Sequence, residues 1–325
     1  MESPLALDLV RVAEEAALAS ARWTGRGDKN SADGAATAAM RTHFDKVAMD
    51  GTVVIGEGEM DEAPMLFIGE RIGSGKGPQM DIAVDPLEGT ETVANGLNNA
   101  ISVIAAAPKG SLLHAPDIYM HKLAVGPALA GKLSLEDPIE VTLAKASQIL
   151  NRSLADITVS ILDRERHQEM IAALRQSGVR IKLLSHGDVM GAIETCTDSG
   201  VDLYVGSGGA PEGVLAAAAL SCLGGEIQGK LIPETTEDHI RCRSMGLQDP
   251  RQLLGMEDMV GGSGVLFTAT GVTSGDFLPG VKFLPGGRAE THSVMMYSRT
   301  RTVRYIRSVH TLESLNSPLY AAVSF

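Results

Sequence analysis

The chain has 325 residues, 44% hydrophobic and 21% charged, a globular composition long enough for two cores. Its net charge of −12, from 28 basic and 40 acidic residues, argues against a protein that binds nucleic acid by neutralising phosphates. The cysteines lack metal-ligand spacing, no leader-like segment opens the chain, and no apolar run reaches about 18 residues. A soluble cytoplasmic protein with reduced thiols, bound neither to membrane nor to nucleic acid, is expected.

In chain order, Leu5 to Trp23 carries Leu, Val and Ala at helical spacing, with Asp8, Arg11, Glu14 and Glu15 interleaved, which predicts an amphipathic helix. A polar loop over 24–34 leads to a second helix over 35–47. Thr52 to Pro64 reads as a short β-branched strand running into an acidic turn. MLFIGERIG continues as strand or turn, SGKGPQ is a loop, and MDIAV and Ala100–Pro108 are strands. From Ile157 strands and helices alternate: ITVSILD, RERHQEMIAALRQSG, VRIKLL, DVMGAIETC, VDLYVGS and PEGVLAAAALSCLGG. Such alternation predicts βαβ units and a parallel sheet, hence an α/β fold. The irregular first half suggests a domain over 1–150 and another over 151–325. The strand-rich tail 264–325 (GVLFTAT, HSVMMYS, TVRYIRSV) fits either.

Several strand ends carry chemistry. IGSGKG fails as a phosphate loop, because Glu70 and Gly77 stand where that motif needs glycine and Ser or Thr. The turn Gly56-Glu57-Gly58-Glu59, followed by Asp61 and Glu62, is either a charged surface turn or a set of oxygen ligands for a hard cation. In DIAVDPLEGT, Asp85 and Glu88 stand at i and i+3 after a strand, with Pro86 stiffening the bend. They read as converging metal ligands, or as a turn cap beside a solvated Glu. GSGGAPEG, residues 206–213, is a glycine-rich strand-to-helix turn with Pro211 in the first helical turn. It suits an anion or, through Glu212, a metal; it also suits a plain tight connection. Arg164, Arg166 and His167 follow one predicted parallel strand and His186-Gly187-Asp188 the next, where adjacent strand ends form a crevice. Carboxylates and arginines at strand ends together favour metal-assisted hydrolysis of a phosphate ester, with the Thr90 hydroxyl orienting the water.

With those residues in view, the chain resembles the class II fructose-1,6-bisphosphatases of the lithium-sensitive phosphatase superfamily. The matching stretches are GRGDKNSADGAA, DGTVVIGEGEMDEAPML, DIAVDPLEGT, APDIYMHKL, GGAPEGV and FTATGVTSGDFLPGV, which span most of its length. The resemblance implies a layered αβαβα sandwich with a mixed or antiparallel N-terminal sheet and a more parallel C-terminal one. It implies release of the C1 phosphate from fructose 1,6-bisphosphate in gluconeogenesis, with Mn²⁺ or Mg²⁺, by a homo-oligomer (dimer or tetramer). The metal-binding acids fall on Asp33, Glu57, Asp85, Glu88 and Glu212, and the catalytic set on Thr90, Glu57 and Asp85. Substrate contacts fall on Glu88, Gly89, Thr90, Tyr119, Arg164, Glu165, Arg166, His186, Gly187, Asp188 and Gly209, with support from Asp28 and Lys29. His186 stands where the family has Asp, and Glu165 where members carry Pro. The segment 232–241 is shorter than usual, and SGKGPQ lacks the insertion of photosynthetic relatives. These departures leave the metal set intact and bear on substrate preference, with a dual enzyme that also takes sedoheptulose 1,7-bisphosphate as the alternative; a non-catalytic sugar-phosphate sensor on the same fold is a separate one, against which the intact carboxylate set argues.

Overall fold

The computed structural model describes residues 4–58 and 64–312. Glu59, Asp61 and Glu62 of the acidic turn lie outside the described residues. The chain forms two compact units, one from the segments up to Lys109 and from Leu266 onward, the other Gly110–Val265. Residue 150, where a division is expected from the sequence, is instead the end of a helix inside the second unit.

The first unit opens with α1 (Pro4–Ala21), whose Leu9, Val12, Ala13, Ala16 and Ala17 are buried. Glu14 and Glu15 are buried as well, contrary to the amphipathic expectation. They are tolerated because each finds a partner. Glu14 Oε1 accepts from the Thr291 hydroxyl at 3.1 Å, and Glu15 stands 3.8 Å from His43. Helix α2 (Lys29–Phe44) begins well before the expected Ala35. Asp28 caps it, accepting from the Ser31 backbone N–H at 3.0 Å and the Ser31 hydroxyl at 2.7 Å. Then come β1 (Asp50–Ile55), β2 (Arg71–Ile72), β3 (Gln79–Glu88), α3 (Thr90–Ala94) and β4 (Ile101–Pro108). Only Arg71 and Ile72 of MLFIGERIG are strand.

The second unit contains β5 (Tyr119–Val125), α4 (Ile139–Leu150), β6 (Thr158–Leu162), a 3₁₀ turn (Glu165–His167), α5 (Gln168–Gln176), β7 (Arg180–Leu184) and α6 (Asp188–Glu194). It continues with β8 (Leu203–Gly209), α7 (Ala210–Leu223), β9 (Glu226–Leu231), α8 (Thr236–Ser244) and α9 (Met256–Met259). Its sheet runs β7-β6-β8-β5-β9. Strand β6 is parallel to β7 and β8, as the alternation predicts. Strand β5 enters antiparallel between β8 and β9, so the sheet is mixed. One core of this unit gathers Leu123 and Val125, Leu143 of α4, Val159 and Ile161, and Ile171 and Leu174 of α5.

The tail rejoins the first unit as β10 (Leu266–Gly271), β11 (Lys282–Leu284), β12 (Arg288–Tyr297) and β13 (Thr302–Thr311). Strand β10 lies antiparallel between β4 and β12. The resulting eight-stranded sheet runs β11-β12-β10-β4-β3-β1-β2, with β13 on β12, and only β1 and β3 pair in parallel. No helix among the described residues is long and apolar enough to cross a membrane.

On β12, Glu290 is buried and meets Arg307 of β13, His292 at 2.8 Å and Lys282 at 3.7 Å. Bonds from Arg307 and then His292 pull its carboxyl down to about 2. A lowered carboxyl stabilises the fold above its unfolded pKa and loses that contribution as pH falls through the folded one. Acid titration of unfolding should therefore show wild-type stability falling between about pH 4.5 and 2, with that component absent in Glu290→Gln.

Candidate active site

In the first unit, β3 does not turn at Asp85 as its polar sequence suggests. It continues to Glu88 through a bulge, with Asp85 opposite Val103 and Glu88 opposite Ile101. Three residue steps on β3 thus match two on β4. In a regular strand residues i and i+3 face opposite sides, and the extra residue cancels that alternation. Asp85 and Glu88 therefore share a face. Pro86, which has no N–H to place in the ladder, sits within the bulge, and Asp85 Oδ1 accepts from the Leu87 N–H at 3.0 Å. Gly89 then adopts φ +95°, a left-handed conformation that suits glycine, and caps α3 so that Thr90 is its first residue.

Glu57 comes from the parallel neighbour. The β1–β3 pairing ends at Ile55 and Ala83, and Glu57 and Asp85 each follow two residues on. The Glu57 N–H donates to the Leu66 carbonyl at 3.0 Å. Asp33, on α2, reaches the Glu57 carboxyl. Burial first, then the charge of Asp33, pushes Glu57 up to about 7, with the Thr37 hydroxyl opposing; burial also raises Asp33. Both are half-buried, and two such carboxylates in contact need a proton or a cation between them. Among the described residues no three His, Cys, Asp or Glu stand together as a complete metal site. The Asp33–Glu57 pair nevertheless fits a hard divalent cation, whose charge and oxygen preference supply what the pair lacks. Lys29 pairs with Glu91 of α3 at 3.1 Å on the surface, a contact worth about 0–1 kcal/mol.

In the second unit, the GSGG turn ends β8 and α7 starts at Ala210 with Pro211 in its first turn, as expected. The glycines make room for carboxylates. A Cβ at Gly208 would run into Asp188 Oδ2, and one at Gly209 into Glu212 Oε2. Glu212 Oε2 is buried without a hydrogen-bond partner among the described residues. Burial, then the charge of Asp188, raises Glu212 to about 7, with Lys122 opposing. Lys122 is only 2% exposed, and its Nζ lies 2.5 Å from Asp188 Oδ2. A cavity of about 400 Å³ is lined by Asp117, Tyr119, Gly209, Glu212, Glu234 and Asp238, among others.

The ends of β6 and β7, which pair in parallel, lie side by side. Arg164 Nη2 donates to His186 Nδ1 at 3.3 Å, and Gly187, at φ +88°, precedes Asp188 at the start of α6. Arg166 turns the other way, to Ser207 and over the Tyr119 ring. Glu165 is exposed and forms no ion pair with either arginine among the described residues. Lys122 and Ser207 are additions to the sequence-level set. Lys122 had a signal: it occupies the inward parity of β5, between Met120 and Ala124, where a charge demands a partner. A second cavity, about 390 Å³, involves His121, Leu135, Ile139, Met170 and Lys230 and none of the expected site residues.

Residues 3–310 match the family model described as bacterial fructose-1,6-bisphosphatase, glpX-encoded. The chain is 44% identical over 327 residues to fructose-1,6-bisphosphatase 1 class 2 of Escherichia coli (strain K12), covering 96% of this chain and 97% of that relative. The class 2 enzymes of Escherichia coli O6:H1 and Shigella flexneri match at the same identity and coverage.

Proposed function

The chain belongs to the bacterial, glpX-encoded fructose-1,6-bisphosphatase family, and from that membership we propose how its residues divide the work. It is a phosphoric monoester hydrolase acting on fructose 1,6-bisphosphate, in a metal-dependent family. Asp33, Glu57, Asp85, Glu88 and Glu212 hold the cations, which are Mn²⁺ or Mg²⁺, since the donors are all oxygens. A bound cation supplies Lewis-acid polarisation of the phosphoryl oxygens and a lowered pKa for water. Thr90, with Glu57, orients the water for in-line attack on the C1 phosphorus. Tyr119, Arg164 and Arg166 grip the distal phosphate, and His186 to Asp188, with Gly209, meet the sugar. Assembly as a dimer or tetramer belongs to the same reading. The observation that carries the metal assignment is the half-buried Asp33–Glu57 contact, two carboxylates with no lysine or arginine between them among the described residues.

Phosphate release is the direct test, measured from fructose 1,6-bisphosphate and from sedoheptulose 1,7-bisphosphate with and without Mn²⁺. Metal-dependent release from the former is expected; folded protein releasing none would overturn the reading. Thr90→Ala is expected to lower kcat by about a hundredfold while leaving metal affinity unchanged, by steady-state kinetics and calorimetric Mn²⁺ titration. Unchanged turnover would remove Thr90 from the reaction.

A further inference from the structure

Arg166 is held on one edge and one face. Its Nε donates to the Ser207 hydroxyl at 3.1 Å and its Nη2 to the Ser207 carbonyl at 2.8 Å. Its Cζ lies 4.6 Å from the centre of the Tyr119 ring. Nη1 has no hydrogen-bond partner among the described residues.

The protons behind this clamp have one consistent order. A carbonyl only accepts, so His167 Nδ1, 2.8 Å from the Leu162 carbonyl oxygen, carries a hydrogen. A backbone N–H only donates, so His167 Nε2, 2.8 Å from the Ser207 nitrogen, carries none. The Ser207 hydroxyl lies 3.0 Å from that Nε2 and faces the Arg166 N–H on its other side. It therefore sends its proton to Nε2 and turns a lone pair to the guanidinium. The chain of donors runs one way, from Arg166 through Ser207 and His167 to Leu162.

We infer that His167 and Ser207 are positioning residues for Arg166, fixing its inner edge so that its outer edge faces a substrate phosphate. The inference rests on the phosphate-gripping role given to Arg166 above. Two observations beyond the distances support it. His167 is only 4% exposed, so its ring is locked by its surroundings. Burial first, with the charges of Arg166, His121 and Arg164 adding to it, holds this imidazole below its usual range; the Leu162 bond opposes them. A second ring proton would set Nε2–H against the Ser207 N–H and turn the hydroxyl hydrogen toward the arginine. The arrangement thus works with neutral imidazole. A guanidinium free to rotate would lose the planar fork that matches phosphate oxygens.

The test is steady-state kinetics on fructose 1,6-bisphosphate at saturating Mn²⁺, with near-ultraviolet circular dichroism to verify the fold. Ser207→Ala is expected to raise KM about tenfold with kcat changed by no more than about twofold. His167→Asn should show the same split, and Ser207→Thr, which keeps the hydroxyl, should restore KM. Arg166→Ala should raise KM at least as much, and Ser207→Ala should add nothing in that background. If Arg166→Ala raises KM but Ser207→Ala does not, or if the two effects simply add, the positioning role is wrong. If Arg166→Ala leaves KM unchanged, the reading of Arg166 itself falls.

Discussion

Glu57→Gln is expected to move activity and stability in opposite directions. Glutamine keeps the shape but cannot balance a cation's charge, so turnover should fall on the order of a thousandfold and Mn²⁺ should no longer raise the melting temperature. The metal-free protein, however, should become more stable. A carboxyl raised to about 7 keeps its proton in the folded state while the unfolded chain, near the ordinary value of 4.5, has lost it. Its burial therefore costs nothing below about pH 4.5, costs progressively more as pH rises, and reaches its full cost above about pH 7. At about 1.4 kcal/mol per pH unit that cost is about 3–4 kcal/mol, and the glutamine variant removes it. Denaturant unfolding of both metal-free proteins at pH 8 and pH 4.5 checks this, with the gap expected at pH 8 only. A variant no more stable at pH 8, or one that still binds Mn²⁺ at wild-type affinity, would separate Glu57 from the cation. Such a trade is what a site assembled for charge rather than for packing predicts.

Lys122→Met is expected to be the most destabilising single change in the second unit. The lysine and Asp188 are 2% and 7% exposed, and their 2.5 Å contact balances charge beside Glu212. Removing one member of a buried pair strands the other, at a cost of about 3–5 kcal/mol. The double change Lys122→Met with Asp188→Asn should recover much of that loss, because no ion is then left stranded. Urea unfolding of the single and double variants is the measurement. If Lys122→Met alone unfolds at the wild-type midpoint, Asp188 is not held by this lysine.

Much of this chemistry was legible in order along the chain. Glu57, Asp85 and Glu88 were visible as acids where apolar strands stop, and GSGGAPEG as a strand-to-helix turn. The β6–α5–β7–α6–β8–α7 alternation appears as read, and the ends of β6 and β7 do bring Arg164 to His186. What failed to show was set by partners far away in sequence. The loop expected over 24–34 is helical from Lys29 because Asp28 bonds Ser31, a local signal within reach. By contrast, nothing near Glu14 announces Thr291, and nothing in the tail announces that β10 lies against β4.

The sequence by itself determined the residue types and their local periodicity: which segments are strands and helices, and which strand ends carry acids, arginines or glycines. Those properties follow from side-chain chemistry within a few residues. Tertiary structure alone decided which of these ends meet. Strand register is a property of two chains, not one. The β3–β4 pairing makes the bulge that turns Asp85 and Glu88 to one face, and the β1–β3 pairing ends at Ile55 and Ala83, two residues before Glu57 and Asp85. Burial is likewise collective. Lys122 and the His167–Ser207 pair became parts of the argument only where folding closed Asp188 over one and Arg166 over the other.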